Sequence, residues 1–170
     1  GDGEIIFSDR IGEYVALASG GTLAPQLIEA RLRFSPYIRD AWVLAGPQNA
    51  YIAVIIVIDY ERVGRWAGQR RVPFSNFAEL SQVPEVCGLI RQDIERVNMD
   101  LPPASRIRKY ANLYKEFDAD EGELTRTRKL RKSVLQERYR GLISAIYNDD
   151  QEVLLDGKVT LKINTVEGAA

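Results

Sequence analysis

Tyr51-Ile52-Ala53-Val54-Ile55-Ile56-Val57-Ile58 carries no charge and no alternation of polar with apolar residues. A β-rich run that is apolar on both faces belongs in the middle of a sheet covered on both sides. Just upstream, Ala41 to Leu44 reads as a second strand, and Gly46-Pro47-Gln48-Asn49 between them supplies the turn chemistry of an antiparallel pair. The sheet is therefore anchored near the middle of the chain.

Working outward from this pair, the N-terminal side opens with a Gly1-Asp2-Gly3 turn and a short Ile5-Ile6-Phe7 run. After Asp9-Arg10-Ile11-Gly12 comes a second strand-like run from Tyr14 to Ala18, which predicts a small hairpin. Ser19-Gly20-Gly21-Thr22 reads as a loop. Pro25 then sits where a helix can start, and Leu27, Ile28 and Leu32 share a face, predicting a helix from about Pro25 to Phe34.

On the C-terminal side, Tyr60 to Gln82 has a weak pattern, with Trp66 and Phe77 as packing anchors. Val86, Ile90, Ile94 and Val97 recur at helical spacing until Pro102-Pro103 stops them. Arg106 to Phe117 predicts a third strand leading into the acidic turn Asp118 to Glu123. Ser133 with Gln136 reads as a capping box ahead of a helix carrying Leu135, Tyr139, Leu142 and Ile146. Val153-Leu154-Leu155, Asp156-Gly157 and Val159 to Ile163 form the strongest short hairpin signal. The sum is an α+β chain: a small antiparallel-rich sheet flanked by helices, with a two-stranded hairpin near each end.

Composition narrows the chemistry. A 170-residue chain with 45% apolar and 28% charged residues and a net charge of −1 reads as one soluble globular domain with no global field to recruit nucleic acid or lipid. The longest apolar run, Ala50 to Ile58, is short of the ~20 residues that cross a bilayer, and no charged-then-apolar signal opens the sequence. A lone Cys87 makes no internal disulfide, which suits a reducing compartment, so the cytoplasm is the expected location. There is no histidine. Ser-His and Cys-His nucleophile pairs and His-ligated zinc are thus excluded, and chemistry falls to Lys, Arg, Asp, Glu or backbone groups.

Three charged stretches remain. Asp118-Ala119-Asp120-Glu121-Gly122 superficially resembles a calcium loop, but its glycine comes one place early and the third ligand position lacks a carboxylate, so it reads as a solvated turn and no metal site is expected. The basic clusters Arg106 to Lys109 and Arg126 to Lys132 are balanced by Glu116 to Glu123 and Glu137, and they read as solvated surface with no recognition module for nucleic acid. In Leu124-Thr125-Arg126-Thr127-Arg128-Lys129-Leu130-Arg131-Lys132, however, two hydroxyl residues and a lysine precede a helix. A lysine so placed can reach toward developing phosphoryl or carboxylate charge.

Thr125-x-Thr127-x-Lys129 followed by Lys132 is similar to the C-terminal signature of adenylate-forming enzymes. Gly122-Glu123-Leu124-Thr125, Lys129-Leu130-Arg131-Lys132 and Glu137-Arg138-Tyr139 resemble its long-chain acyl-CoA synthetase version. A second signature stands upstream in the matching order: Asp9-Arg10-Ile11-Gly12-Glu13, Ser19-Gly20-Gly21, then Pro25 and Glu29, with Ser35-Pro36-Tyr37-Ile38 after it. The likeness runs from Gly1 to about Tyr147, and the two motifs together are more specific than either alone.

The resemblance implies an AMP-forming ligase that makes an acyl-adenylate from a fatty acid and ATP, then lets coenzyme A displace AMP. Lys129 would be the adenylation lysine and Arg10 would lie near the adenylate. Gly12 would be the hinge about which the domain rotates, and Ser19, Gly20 and Gly21 would line the coenzyme A tunnel. Residues 1–12 would be the end of the preceding region, 13–148 the mobile domain and 149–170 a hairpin extension. The phosphate loop, adenine pocket and fatty-acid tunnel of such enzymes are expected in an N-terminal domain, the implied partner. ATP, its Mg and coenzyme A would be bound mainly there, with nothing held tightly by this chain, which would be inactive alone. The resemblance allows peripheral membrane association of the parent. Three positions depart from the pattern: Gly12 replaces Asp or Lys, Arg126 replaces proline and Arg128 replaces glycine. Two other readings stand beside this one: a non-catalytic α+β regulatory or partner-binding module, and a relative that delivers its adenylate to a carrier protein.

Overall fold

The computed structural model describes residues 14–166. Its main sheet has four strands in the order β3-β4-β5-β8, formed by Ile38–Leu44, Ile52–Ile58, Ile107–Asn112 and Asn164–Thr165. β4 pairs antiparallel with β3 and parallel with β5, and β8 closes the far edge antiparallel to β5. The uninterrupted apolar run is thus a central strand, with every residue from Ile52 to Ile58 buried.

Strand pleating sends its side chains alternately to two cores. Ile52, Val54, Ile56 and Ile58 join Ile28, Leu32, Val63, Leu80, Val86, Ile90 and Ile94 on one face. Ala53, Ile55 and Val57 join Leu135, Tyr139, Leu142, Ile146 and Leu161 on the other. The first face is covered by α1 (Pro25–Leu32), α2 (Tyr60–Gln69), α3 (Phe77–Gln82) and α4 (Pro84–Asn98). The second is covered by α5 (Lys132–Arg138), α6 (Arg140–Tyr147) and the C-terminal hairpin of β6 (Glu152–Leu155) and β7 (Val159–Lys162). At about 1.5 to 3 kcal/mol for each fully buried aliphatic side chain, these two cores supply the main drive for the three-layer stack.

The small N-terminal hairpin pairs β1, Val15–Ala16, with β2, Thr22–Leu23. The Tyr14 to Ala18 run therefore turns at Ala18-Ser19 and pairs forward, while its expected partner Ile5–Phe7 lies outside the described residues. The weakly patterned stretch 60–82 holds two helices. Asp59 caps α2 by accepting the Arg62 N–H at 3.0 Å. Asn76 caps α3 by accepting the Glu79 N–H at 2.8 Å, while the Glu79 carboxylate accepts the Ser75 N–H.

The expected capping box at Ser133 does not form. α5 begins at Lys132 with Arg131 as its N-cap, two residues earlier than a Ser133 cap would place it, and no side chain caps it. The single helix read from Leu135, Tyr139, Leu142 and Ile146 is broken at Tyr139, where the backbone leaves the helical region before α6 starts. The Asp156-Gly157 turn between β6 and β7 has both residues at positive φ, 54° and 64°. This is the mirror-image turn that matches the twist of a hairpin. Beyond β7 the chain returns to the main sheet as β8, where Val166 N–H donates to the Arg108 carbonyl at 2.9 Å.

Candidate active-site surface

Lys129 is exposed on a loop closed at its base by an antiparallel bridge between Leu124 and Leu130. Thr125 organises this loop. Its N–H donates to the Lys129 carbonyl at 2.8 Å, its carbonyl accepts from Arg128 N–H at 2.9 Å, and its hydroxyl accepts from Lys129 N–H at 3.0 Å. Thr127 adds a hydroxyl contact to Thr125 at 3.2 Å. Thr125 therefore shapes the backbone on which the lysine stands, with Thr127 in contact with its hydroxyl.

Glu123 holds the loop from below. It is fully buried and accepts from Tyr139 Oη at 2.8 Å, Asp118 N–H at 2.8 Å and Arg138 Nη1 at 3.3 Å, and its carbonyl accepts from Arg131 N–H at 2.9 Å. Burial, reinforced by the bond to Glu123, raises the Tyr139 hydroxyl well above the ordinary tyrosine range, so it stays a donor. A buried carboxylate satisfied this fully is a rigid support rather than a reactive group.

Two further carboxylates tie the loop to the wall formed by α1 and β3. Asp40 accepts from Arg128 Nη2 at 3.0 Å, and Glu29 pairs with Lys132 Nζ at 2.9 Å while also accepting Val43 N–H at 2.7 Å. Both acid side chains are almost enclosed, at 9% and 4% exposure. A bulge in the β3–β4 pairing between Ile38 and Asp40 interrupts the strand where Asp40 enters it; bulges commonly re-aim a side chain in this way. Burial raises the pKa of both carboxyls above the usual values of 3.8 and 4.5, against the opposing pull of Arg128 and Lys132.

The resulting cleft has a volume of 630 Å³ and is lined by Gln26, Leu27, Glu29, Ala30, Arg33, Arg39, Asp40, Arg128, Lys129, Leu130 and Lys132. Arg128 and Lys132 are engaged by its two acids, and Arg39 pairs with Glu116 at 3.4 Å. Lys129 makes no ion pair among the described residues. Arg128 itself holds a left-handed backbone with φ of 65°, a conformation costing roughly 1 to 2 kcal/mol for a residue with a Cβ.

Ser19, Gly20 and Gly21 form the exposed tip of the β1–β2 hairpin. Leu17 N–H donates to the Gly21 carbonyl at 2.8 Å and Gly20 N–H to the Leu17 carbonyl at 3.0 Å. Gly20 has φ of 104°, and a Cβ on Gly20 or Gly21 would meet nothing within 4 Å. Ser19 borders a second cleft of 300 Å³ together with Asn49, Tyr51, Arg106 and Arg108. A third cleft of 210 Å³ shares Gln26 and Lys132 with the lysine cleft and Asn49 with the hairpin cleft. Lys129 and the hairpin tip thus stand on separate clefts along one connected surface. Arg10 and Gly12 lie outside the described residues.

The basic segment 106–109, read as solvated surface, is partly structural. Arg106 Nε donates to the Asn98 and Leu101 carbonyls at 3.1 and 3.0 Å, and Lys109 pairs with Asp149 and lies over the Tyr51 ring. Asp40 is not among the site residues that the sequence predicts; its signal there is an acid beside Arg39 at the start of the apolar run Ala41 to Leu44. Among the described residues no group of three or more Cys, Asp or Glu side chains is placed to hold a metal ion. No helix there is long and apolar enough to cross a membrane.

The chain belongs to the AMP-binding enzyme C-terminal domain family, whose model matches residues 13–151. It is 31% identical over 150 residues to the long-chain-fatty-acid–CoA ligase FadD15 of Mycobacterium tuberculosis, covering 88% of this chain and 25% of that protein. It is 30% identical over 150 residues to human long-chain-fatty-acid–CoA ligase 1, covering 86% and 21%. The adenylation domain of a carboxylate reductase from Mycobacterium chelonae has the same fold, with a TM-score of 0.62 and 24% identity over 80% of this chain and 19% of that one. The chain thus spans a quarter or less of these proteins, and as an AMP-binding enzyme C-terminal domain it is related to the long-chain fatty-acid–CoA ligases.

Proposed function

We propose that this domain is the mobile lid of a long-chain fatty-acid–CoA ligase, with Lys129 supplying positive charge to the first half-reaction. A fatty-acid carboxylate attacks the α-phosphate of ATP, giving an acyl-adenylate and releasing pyrophosphate. The thiol of coenzyme A then attacks the acyl carbon and AMP leaves. In the first step negative charge builds on the α-phosphate, and a compact ammonium on a flexible stem can follow it.

The observation that carries the reading is the placement of Lys129, exposed on a cleft rim between two cations that are already paired. Its charge, like that of Arg33 on the same cleft, has no acid partner among the described residues and is left available to a substrate held by another domain. The hairpin tip supports the second half of the reading. Ser19, Gly20 and Gly21 present little bulk beside a cleft bearing Arg106 and Arg108, a combination suited to a thin pantetheine arm and nearby phosphates. Arg10 near the adenylate and Gly12 as the hinge complete the proposal, with ATP, its Mg and the acyl chain bound mainly by the N-terminal domain of a cytoplasmic parent.

The test is made in the full-length parent. Lys129→Ala is expected to lower ATP-dependent acyl-adenylate formation about 10² to 10³-fold, the effect of removing one well-placed electrostatic group. Thioester formation from supplied acyl-adenylate should stay near normal. Unchanged adenylate formation would reject the assignment.

A further inference from the structure

We infer that Arg128 and Asp40 form a clamp that fixes the position of Lys129, Arg128 acting as a positioning residue and Asp40 as its anchor. The inference rests on the reading of Lys129 as the adenylation lysine and extends it to residues with no role of their own in that reading. Three observations meet here. Arg128 directly precedes Lys129 and holds φ of 65°, so its backbone sets the direction in which the lysine leaves the loop. Its guanidinium crosses to Asp40 at 3.0 Å, and that carboxylate is nearly enclosed at a strand bulge, a rigid place to tie to. The loop is independently fastened three residues later by Lys132 and Glu29 at 2.9 Å. Lys129 therefore lies between two fixed points on one wall.

A left-handed arginine with a half-exposed side chain needs something to hold it, because other backbone conformations are open to it. The bond to Asp40 supplies that restraint. Released from it, the loop can relax and carry Lys129 away from its place, and small displacements of an electrostatic group cost rate steeply.

The design of the test follows from charge. Asp40→Ala makes the cleft more positive and Arg128→Gly makes it less positive, so an effect through the field alone would move adenylation in opposite directions. A clamp predicts that both variants of the full-length enzyme slow acyl-adenylate formation by about tenfold. The double variant should be no slower than the worse single one, since both remove one interaction. Conversion of supplied acyl-adenylate to thioester should be unchanged, and amide hydrogen exchange in segment 124–132 should quicken in both variants. Glycine suits the backbone at 128, and Asp40→Asn provides a milder change if Asp40→Ala disturbs folding. Opposite effects, no effect, or unaltered exchange in 124–132 would overturn the clamp. Lys129→Ala measured in parallel separates the two ideas: if it leaves adenylation intact, the lysine reading fails, whereas normal rates in the Asp40 and Arg128 variants beside a crippled Lys129→Ala reject the clamp alone.

Discussion

The lysine loop and the β1–β2 hairpin tip both end in exposed residues, yet they are held in opposite ways. The loop is fastened by side chains: Thr125 within it, Glu123 beneath it, and Asp40 and Glu29 across the cleft. The tip is held by two backbone bonds, and no atom lies within 4 Å of where a Cβ on Gly20 or Gly21 would stand. The difference follows from the task proposed for each. A charge that must meet a transition state gains from being fixed in advance, whereas a surface that a thin ligand passes needs only to be narrow.

The largest effect on this contrast should come from Glu123→Ala. Removing a fully buried carboxylate strands its donors, Tyr139 Oη, Asp118 N–H and Arg138, and should destabilise the domain by about 3 to 5 kcal/mol in urea unfolding. A loss below about 1 kcal/mol would mean that the loop is not held from below. A smaller effect separates the two glycines of the tip. Gly20→Ala should cost about 1 to 2 kcal/mol because of its positive φ, while Gly21→Ala, with the same open space, should stay within about 0.5 kcal/mol. Equal losses would show that crowding, not backbone conformation, governs the tip.

The smallest effect concerns pH. Burial raises the Glu29 carboxyl above its ordinary value of 4.5, so the folded state takes up its proton before the unfolded state does. The stability this group contributes is fully present below 4.5 and is lost as pH rises through the folded value. Glu29→Gln should therefore flatten the stability profile from 4.5 upwards, with the wild type gaining relative to the variant on acidification. Denaturant midpoints of both proteins at several pH values check the sign. A wild type that instead loses ground on acidification would show that the Lys132 attraction outweighs burial at this site.

Much of this architecture is readable locally. The central strand, α1, α4 and the Asp156-Gly157 hairpin all follow from patterns within a few residues, because apolar period and turn chemistry are short-range properties. α2 is hard to read because its buried stripe is only Val63 and Ala67, and its start depends on the Asp59 cap. The break at Tyr139 is equally hidden, since Leu135, Tyr139, Leu142 and Ile146 keep helical spacing straight across it. β8 is two residues long and becomes a strand only by pairing with β5.

The candidate site divides along the same line. By itself, the order of residues determined a two-faced central strand, a hydroxyl-rich loop carrying Lys129 and a small-residue tip at Ser19-Gly20-Gly21, since each is a local pattern. Only the tertiary structure decided that Asp40 would meet Arg128 across 88 residues and Glu29 would meet Lys132 across 103. It also left Lys129, like Arg33 on the same cleft, without an ion-pair partner among the described residues. Ion pairing at such separations depends on which surfaces the two cores bring face to face, and no local pattern encodes that.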